Sequence, residues 1–165
     1  MNKNDIEHLY TIYGKQIFLY ALTLCKNWHS AEDLTSEAFY KALLSLDDDV
    51  KNIKSWLFRV CRNLFIDDYR KKKREVIQEI EDDCLSSGEA GPLDTVLKDD
   101  AHQKLYLAIM KLSQSDREIL VMYYFLNCDI KQISIHFART TGATKTSLSR
   151  ARSRLKKVLE EENYE

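Results

Sequence analysis

The chain is poor in everything that interrupts a helix. Its 165 residues include one proline, Pro92, and four glycines. The pattern therefore leans to helix throughout. No window approaches eighteen apolar residues, so no membrane span is expected. Met1 is followed by Asn, Lys, Asn and Asp rather than by a charged segment and an apolar run, so no signal peptide is expected. The four cysteines, Cys25, Cys61, Cys84 and Cys128, are far apart, and no CxxC occurs. That argues against a disulfide frame or a zinc site and fits a reducing cytoplasm. His8, His29, His102 and His136 are equally scattered and are not read as ligands. There is no phosphate loop, HExxH or nucleophile elbow, so no enzyme, metal or cofactor is expected.

Hydrophobic content of 44% with 31% charged residues is that of a soluble globular chain, one domain or two small ones. The net charge of −1 conceals strong segregation. Residues 1–50 carry −4, 51–74 carry +7, 75–129 carry −8, 130–159 carry +8 and 160–165 carry −4. Two cationic blocks alternate with acidic ones, giving two candidate polyanion footprints.

The first footprint is the stretch SWLFRVCRNLFIDDYRKKKR, Ser55 to Arg74. It reads as one helix capped by Ser55. At about 100° per residue, Leu57, Cys61, Leu64, Phe65 and Tyr69 share an apolar face. Arg59, Asn63, Asp67 and Arg70 fall on the other side, and five consecutive cations, Arg70 to Arg74, close the stretch. Such a helix is docked on one side and offers guanidinium, carboxamide and ammonium groups in a row on the other, as a nucleic-acid surface would. An ordinary amphipathic helix with a solvated charged end has the same pattern.

Ahead of it, a helix from about Asp5 to Cys25, capped by Asp5, carries Ile6, Leu9, Tyr13, Ile17, Tyr20 and Leu24 at three- and four-residue steps. A second helix follows Ser30, with Ser30-Ala-Glu-Asp33 as a capping box whose acids complement the dipole. Leu34, Ala38, Phe39 and Ala42 face the core. Residues 75–97 then hold seven acids, no Lys or Arg, two glycines and the proline, which makes them the best domain boundary. Beyond it, Leu105, Ile109 and Leu112 form a stripe, and Ser113 to Asp116 opens a helix through Ile119, Leu120, Met122, Tyr123 and Leu126. Asn127-Cys128 breaks that helix, and Ile130, Ile133 and Phe137 mark a short one. A turn over Ala138 to Gly142 precedes a last helix from about Ala143 to Glu161.

That ending is the second footprint. From Ile130 to Leu159 there are eight cations and no acid. Leu148, Ala151, Leu155 and Leu159 make one seam, leaving Thr146, Arg150, Ser153, Arg154 and Lys157 opposite, with Ser147 nearby. A short helix, a tight turn and a longer basic helix is the helix-turn-helix arrangement, whose second helix enters the major groove by its N-terminal part. Thr146, Ser147 and Arg150 would reach base edges; Arg152, Arg154, Lys156 and Lys157 would meet phosphates. Basic helices also bind acidic protein partners.

With both ends in view, the chain resembles the sigma factors of bacterial RNA polymerase, specifically the small two-domain extracytoplasmic-function class. Three stretches carry the resemblance, which covers roughly residues 6–74 and 99–158: AEDLTSEAF, SWLFRVCRNLFIDDYRKKKR, and LSQSDREILVMYYFLN followed by GATKTSLSRARSRLKK. It implies an all-α fold of two small helical domains joined by a flexible acidic linker, with residues 1–74 resembling sigma region 2, 75–98 the linker, and 99–165 a region 4-like unit containing the helix-turn-helix. It implies that Glu32, Asp33 and Glu37 face the clamp helices of the polymerase beta-prime subunit, although cap and dipole stabilisation would also account for these acids. Lys54, Arg59, Asn63, Asp67, Arg70, Lys71 and Arg74 would serve the minus-ten element and its melting. Lys145, Thr146, Ser147, Arg150, Arg154 and Lys157 would serve the minus-thirty-five element. Trp56 is read as core rather than as a stacking platform. The linker would thread a basic channel of the polymerase, imitating nucleic acid. The implied partners are RNA polymerase core, through the beta-prime clamp helices and the beta flap, promoter DNA, and an anti-sigma factor. No N-terminal inhibitory segment or middle domain is expected.

The chain departs from the family pattern at Ser36, where Gln is frequent, at Ala143 in place of a capping Thr, so that Thr141 or Gly142 would cap, at Ser147 in place of a frequent Arg, and at Phe137-Ala138 in place of a Leu-Gly turn. The competing reading within DNA binding is a stand-alone helix-turn-helix regulator, which would bind duplex without polymerase, usually as a dimer.

Overall fold

The computed structural model describes residues 2–47, 49–75 and 93–163. Every regular element among them is a helix, as expected. The chain divides into two compact units, Met1–Cys84 and Leu85–Glu165. The acidic stretch 76–92, with Cys84 and both linker glycines, lies outside the described residues.

In the first unit, α1 spans Lys3–Cys25. Asn2 caps it by accepting from the Asp5 N–H at 3.0 Å, and the Asp5 carboxylate returns the bond to the Asn2 N–H at 3.2 Å. Asp5 is thus the far member of a capping box rather than the cap. α2 spans Trp28–Ser45 and is capped by Asn27, which accepts from the Ser30 N–H at 2.8 Å. α3 spans Ile53–Glu75, where Asn52 accepts from the Ser55 N–H at 3.0 Å. The expected caps Ser30 and Ser55 are therefore inside their helices. In each case an asparagine three residues earlier accepts from the serine's own N–H, and the helix gains most of a turn.

The three helices pack on one another. Ile17, Tyr20 and Leu22 of α1, Ala31, Leu34, Ala38, Phe39 and Ala42 of α2, and Leu57, Phe58 and Cys61 of α3 are all buried and make up the core. Small residues on α2 let the backbones approach, and aromatic edges fill what remains: Tyr20 against Phe58 at 5.3 Å and Tyr10 against Phe39 at 5.1 Å between ring centroids. The apolar face of α3 tapers. Leu64 and Phe65 are half-buried and Tyr69 is exposed, its ring stacked at 6.3 Å on Phe65. The expected stripe thus overstates the buried length, because the third helix is docked deepest over its first three turns.

In the second unit, Leu93 is buried and the Gln103 side chain donates to the Asp94 carboxylate and the Leu97 carbonyl, so residues 93–97 fold onto the helix that carries Gln103. That helix, α4, spans Asp100–Ile109 and is capped by Asp99. α5 spans Gln114–Tyr124 and is capped by Ser113, as expected. Asn127, at φ 54°, turns the chain. α6 spans Ile130–His136 behind an Asp129–Gln132 capping box. α7 spans Thr141–Asn163. Its cap is Thr140, whose hydroxyl accepts from the Ala143 N–H at 3.1 Å, so neither Thr141 nor Gly142 caps it and the helix starts before Ala143. Ala138 takes the left-handed position of the turn at φ 53°, a place glycine occupies at less cost. α7 packs on α4, α5 and α6. Thr144, buried, bonds Ser134 of α6 at 2.8 Å, fastening the two helices of the helix-turn-helix.

Candidate polymerase and nucleic-acid surfaces

Because α2 begins at Trp28, its first turn holds no acid. Glu32 and Asp33 sit in the second turn, where the helix dipole has faded. The helix dipole therefore contributes little at these two positions. Glu32 accepts from the Trp28 indole N–H at 2.7 Å, and that ring lies 4.6 Å edge-on to Phe18, so this carboxylate is partly committed to holding the N-terminus of α2. Asp33 lies 3.7 Å from the His29 ring with both side chains largely exposed, and Glu37 is exposed. At 100° per residue, Asp33, Glu37, Tyr40 and Leu44 fall within about 60° of one another. Tyr40 is 61% and Leu44 65% exposed, the two most exposed large apolar side chains among the described residues. Sequence reasoning missed both. The available signal was an apolar residue on the solvent side of a helix whose core positions were already filled by Leu34, Ala38 and Ala42.

On α3 the row Arg59, Asn63, Asp67 and Arg70 is exposed along its length, on the side away from Leu57, Phe58 and Cys61. Half-buried Trp56 flanks its N-terminal end. Lys71 is exposed beyond it, and the Arg74 side chain lies outside the described residues. Lys54 is not brought to this row. It is half-buried on the far side of the helix, its ammonium 5.9 Å from the Phe58 ring centroid. Asp68 holds Lys72 at 3.2 Å. Burial pushes the Cys25 thiol, at the end of α1, up to about 11, with nearby Lys72 pulling the other way and Asp68 adding to the rise.

On α7, Thr146, Arg150, Ser153 and Lys157 are exposed on one side, with Leu148, Ala151 and Leu155 buried on the other and Ser147 half-buried at the edge. Lys145 is exposed but lies about 140° around the helix from Arg150. Two expected phosphate contacts have internal partners. Arg154 Nη1 donates to both carboxylate oxygens of Asp116, at 3.0 and 2.9 Å, where Asp116 is buried at the start of α5. Arg152 lies 5.1 and 5.6 Å from the rings of Tyr123 and Tyr124, and its Nε donates to the Tyr124 hydroxyl at 2.7 Å. That bond raises the guanidinium pKa, with a smaller rise from Tyr123. Arg139 in the turn, absent from the expected set, donates to Ser147 Oγ at 3.1 Å.

Residues 9–75 match the family description Sigma-70 region 2, and residues 102–155 match Sigma-70, region 4. The ECF RNA polymerase sigma factor SigM of Bacillus subtilis is 34% identical over 92% of this chain and 93% of its own length. SigW of the same organism is 31% identical over 90% and 85%. Among solved structures, the sigma factor RpoE in complex with the anti-sigma factor NepR from Bartonella quintana matches with a TM-score of 0.69 at 23% identity, covering 94% of this chain and 97% of that one. CnrH, in complex with the cytosolic domain of CnrY, gives 0.68 at 19%. These two likenesses concern the fold. No helix among the described residues is long and apolar enough to cross a membrane. Two family regions in this order, and relatives matched over nearly their whole length, set aside the stand-alone regulator: the chain belongs to the extracytoplasmic-function class of RNA polymerase sigma factors, non-enzymatic initiation factors that bind polymerase core and direct it to specific promoters.

Proposed function

We propose that the sigma activity is divided among three surfaces. The acidic face of α2, Asp33 and Glu37 with a share from Glu32, engages the beta-prime clamp helices. Tyr40 and Leu44 extend that face with apolar area. The α3 row Arg59, Asn63, Asp67 and Arg70, followed by Lys71 and Arg74, engages the minus-ten element. Holding a base out of the stack costs a few kcal/mol, which amide and carboxylate groups on the base and cations on the backbone can offset. Lys54 serves at most the margin of this surface. On α7, Thr146, Ser147 and Arg150 read the minus-thirty-five element and Lys157 meets phosphate, with Lys145 on the flank. Arg154 acts chiefly as the clamp on Asp116. Residues 1–74 thus form the melting and polymerase-binding domain, 75–98 the acidic linker that threads a basic channel, and 99–165 the upstream-reading domain, which also meets the beta flap. The protein catalyses no step itself and works in the cytoplasm, where its polymerase is.

The observation that carries this reading is the continuous exposed polar row on α3, backed by core on the opposite side. An anti-sigma factor as a further partner is supported by the solved sigma factor RpoE of like fold, which is bound to the anti-sigma factor NepR in its structure. Co-purification with polymerase core followed by run-off transcription tests the reading. The expected result is a stoichiometric complex that starts at promoters the core alone ignores. A chain that binds duplex tightly by itself and leaves the start sites of the core unchanged would contradict it.

A further inference from the structure

The turn of the helix-turn-helix carries a cation that the division above leaves unused. Arg139 follows left-handed Ala138, and its N–H is tied to the Ser134 carbonyl at 2.9 Å, so the backbone from which it springs is pinned to α6. Thr140 then caps α7. The exposed Arg139 side chain runs along the opening turns of α7, where Nη1 donates to Ser147 Oγ at 3.1 Å. Ser147 lies about 60° around the helix from Arg150, so the guanidinium stands at the edge of the Arg150 face. That end of the second helix is the one a helix-turn-helix presents to base edges.

The chemistry of the group is specific. A guanidinium has five N–H donors in a planar fork. Ser147 takes one from Nη1, and the Nε–Nη2 edge keeps the paired donors that match O6 and N7 of a guanine. Among the described residues Ser147 Oγ is the one hydrogen-bond acceptor of this side chain, and no carboxylate pairs with it. Residues 130–159 contain no Asp or Glu at all. Arg152 and Arg154 face the opposite situation, with their guanidinium groups on tyrosines and on Asp116. A surface arginine held by a serine but left unneutralised is ordered in advance, which lowers the entropy lost when it binds.

We propose that Arg139 is a specificity-determining residue of the upstream promoter element, reading one guanine edge in duplex DNA with Ser147 as its buttress. This rests on the reading of α7 as the duplex-facing helix. The test is selection by holoenzyme, reconstituted with the full chain, from a promoter library randomised over the upstream element. Native protein is compared with R139A, R139K, S147A and R150A, with core affinity and thermal unfolding measured alongside. R139A is expected to lose a guanine preference at one position by about tenfold or more. R139K, which keeps the charge but not the fork, loses it too, and S147A loses part of it. Core affinity and unfolding midpoint stay unchanged. The inference is overturned if R139A keeps every positional preference, if it weakens all sequences alike as a phosphate contact would, or if it changes only the unfolding midpoint. R150A separates the two levels: preferences shifted by R150A but not by R139A remove this inference alone, whereas preferences untouched by either remove the reading of α7.

Discussion

α3 and α7 are each 23 residues long, each has a basic polar side, and each closes the core of its unit, yet they are held differently. α3 is held by apolar contact. Leu57, Phe58 and Cys61 are sunk against α1 and α2, and its exposed row has little internal competition. α7 is held by apolar contact and by its own charges: Arg154 on buried Asp116, Arg152 on Tyr123 and Tyr124, and Glu162 reached by Lys111 of the segment after α4. A cation count over sequence treats the +8 of residues 130–159 and the +7 of residues 51–74 as equal footprints. The folded units do not. Part of the positive charge on α7 is structural, since Arg152 and Arg154 have internal partners, and the contacts proposed for duplex DNA centre on Arg150, Lys157 and the turn residue Arg139. That suits reading a closed duplex, where direction matters. A row on α3 whose groups have no ion-pair partner among the described residues suits the capture of separating strands proposed for it.

The contrast can be broken from either side. Phe58→Ala should destabilise the first unit by about 3–5 kcal/mol, the usual range for emptying a buried aromatic site. Thermal or denaturant unfolding reads this. A loss below about 1 kcal/mol would mean that α3 is not held by its apolar face. Arg154→Ala leaves the buried Asp116 carboxylate unpaired and should cost the second unit roughly 1–2 kcal/mol, less than a fully buried pair because the arginine side chain is 56% exposed. The double variant with Asp116→Ala should recover part of that loss. Arg150→Ala should leave unfolding within about 0.5 kcal/mol, which separates a binding cation from a structural one. Ala138→Gly should stabilise the second unit by about 1 kcal/mol by relieving the left-handed alanine. The first unit also carries a pH dependence. The Cys25 thiol sits at about 11 when folded against an ordinary 9.0, so between those values the unfolded chain loses its proton first. This group therefore contributes a fall in stability from about pH 9 to about pH 11 and none below. Cys25→Ala should lack that part of the slope when its unfolding is compared with native protein across the range.

The all-helical class, the helix order and the two polar faces were legible in the sequence, because each rests on periodicity within one helix. Helix starts were less so. Asn27, Asn52 and Thr140 cap where later residues were expected to, since local patterns offer two or three candidate side chains and the earliest one able to reach an amide takes it. The commitments of the charged residues were not legible. Asp116 read only as part of a helix start opened by Ser113, but its carboxylate pairs with Arg154, 38 residues away. Glu32 looked like a free acid of the polymerase face, but it is half engaged by Trp28. Arg139 read only as part of a turn until folding laid it on Ser147. Each of these depends on which helices become neighbours, a fact that spacing along one helix does not contain.

The central claim is that polymerase capture and duplex reading belong to different units of the same chain. The most direct measurement gives Asp33→Arg and Arg150→Ala side by side to polymerase core and reads two quantities for each: affinity for core, and initiation at a selected promoter at saturating sigma. Reversing the charge at position 33 is predicted to weaken core binding by more than about tenfold, as like charges meet across the contact. Arg150→Ala is predicted to leave core affinity unchanged and to lower promoter-specific initiation by about tenfold. Equal losses of core affinity in both variants would contradict the division.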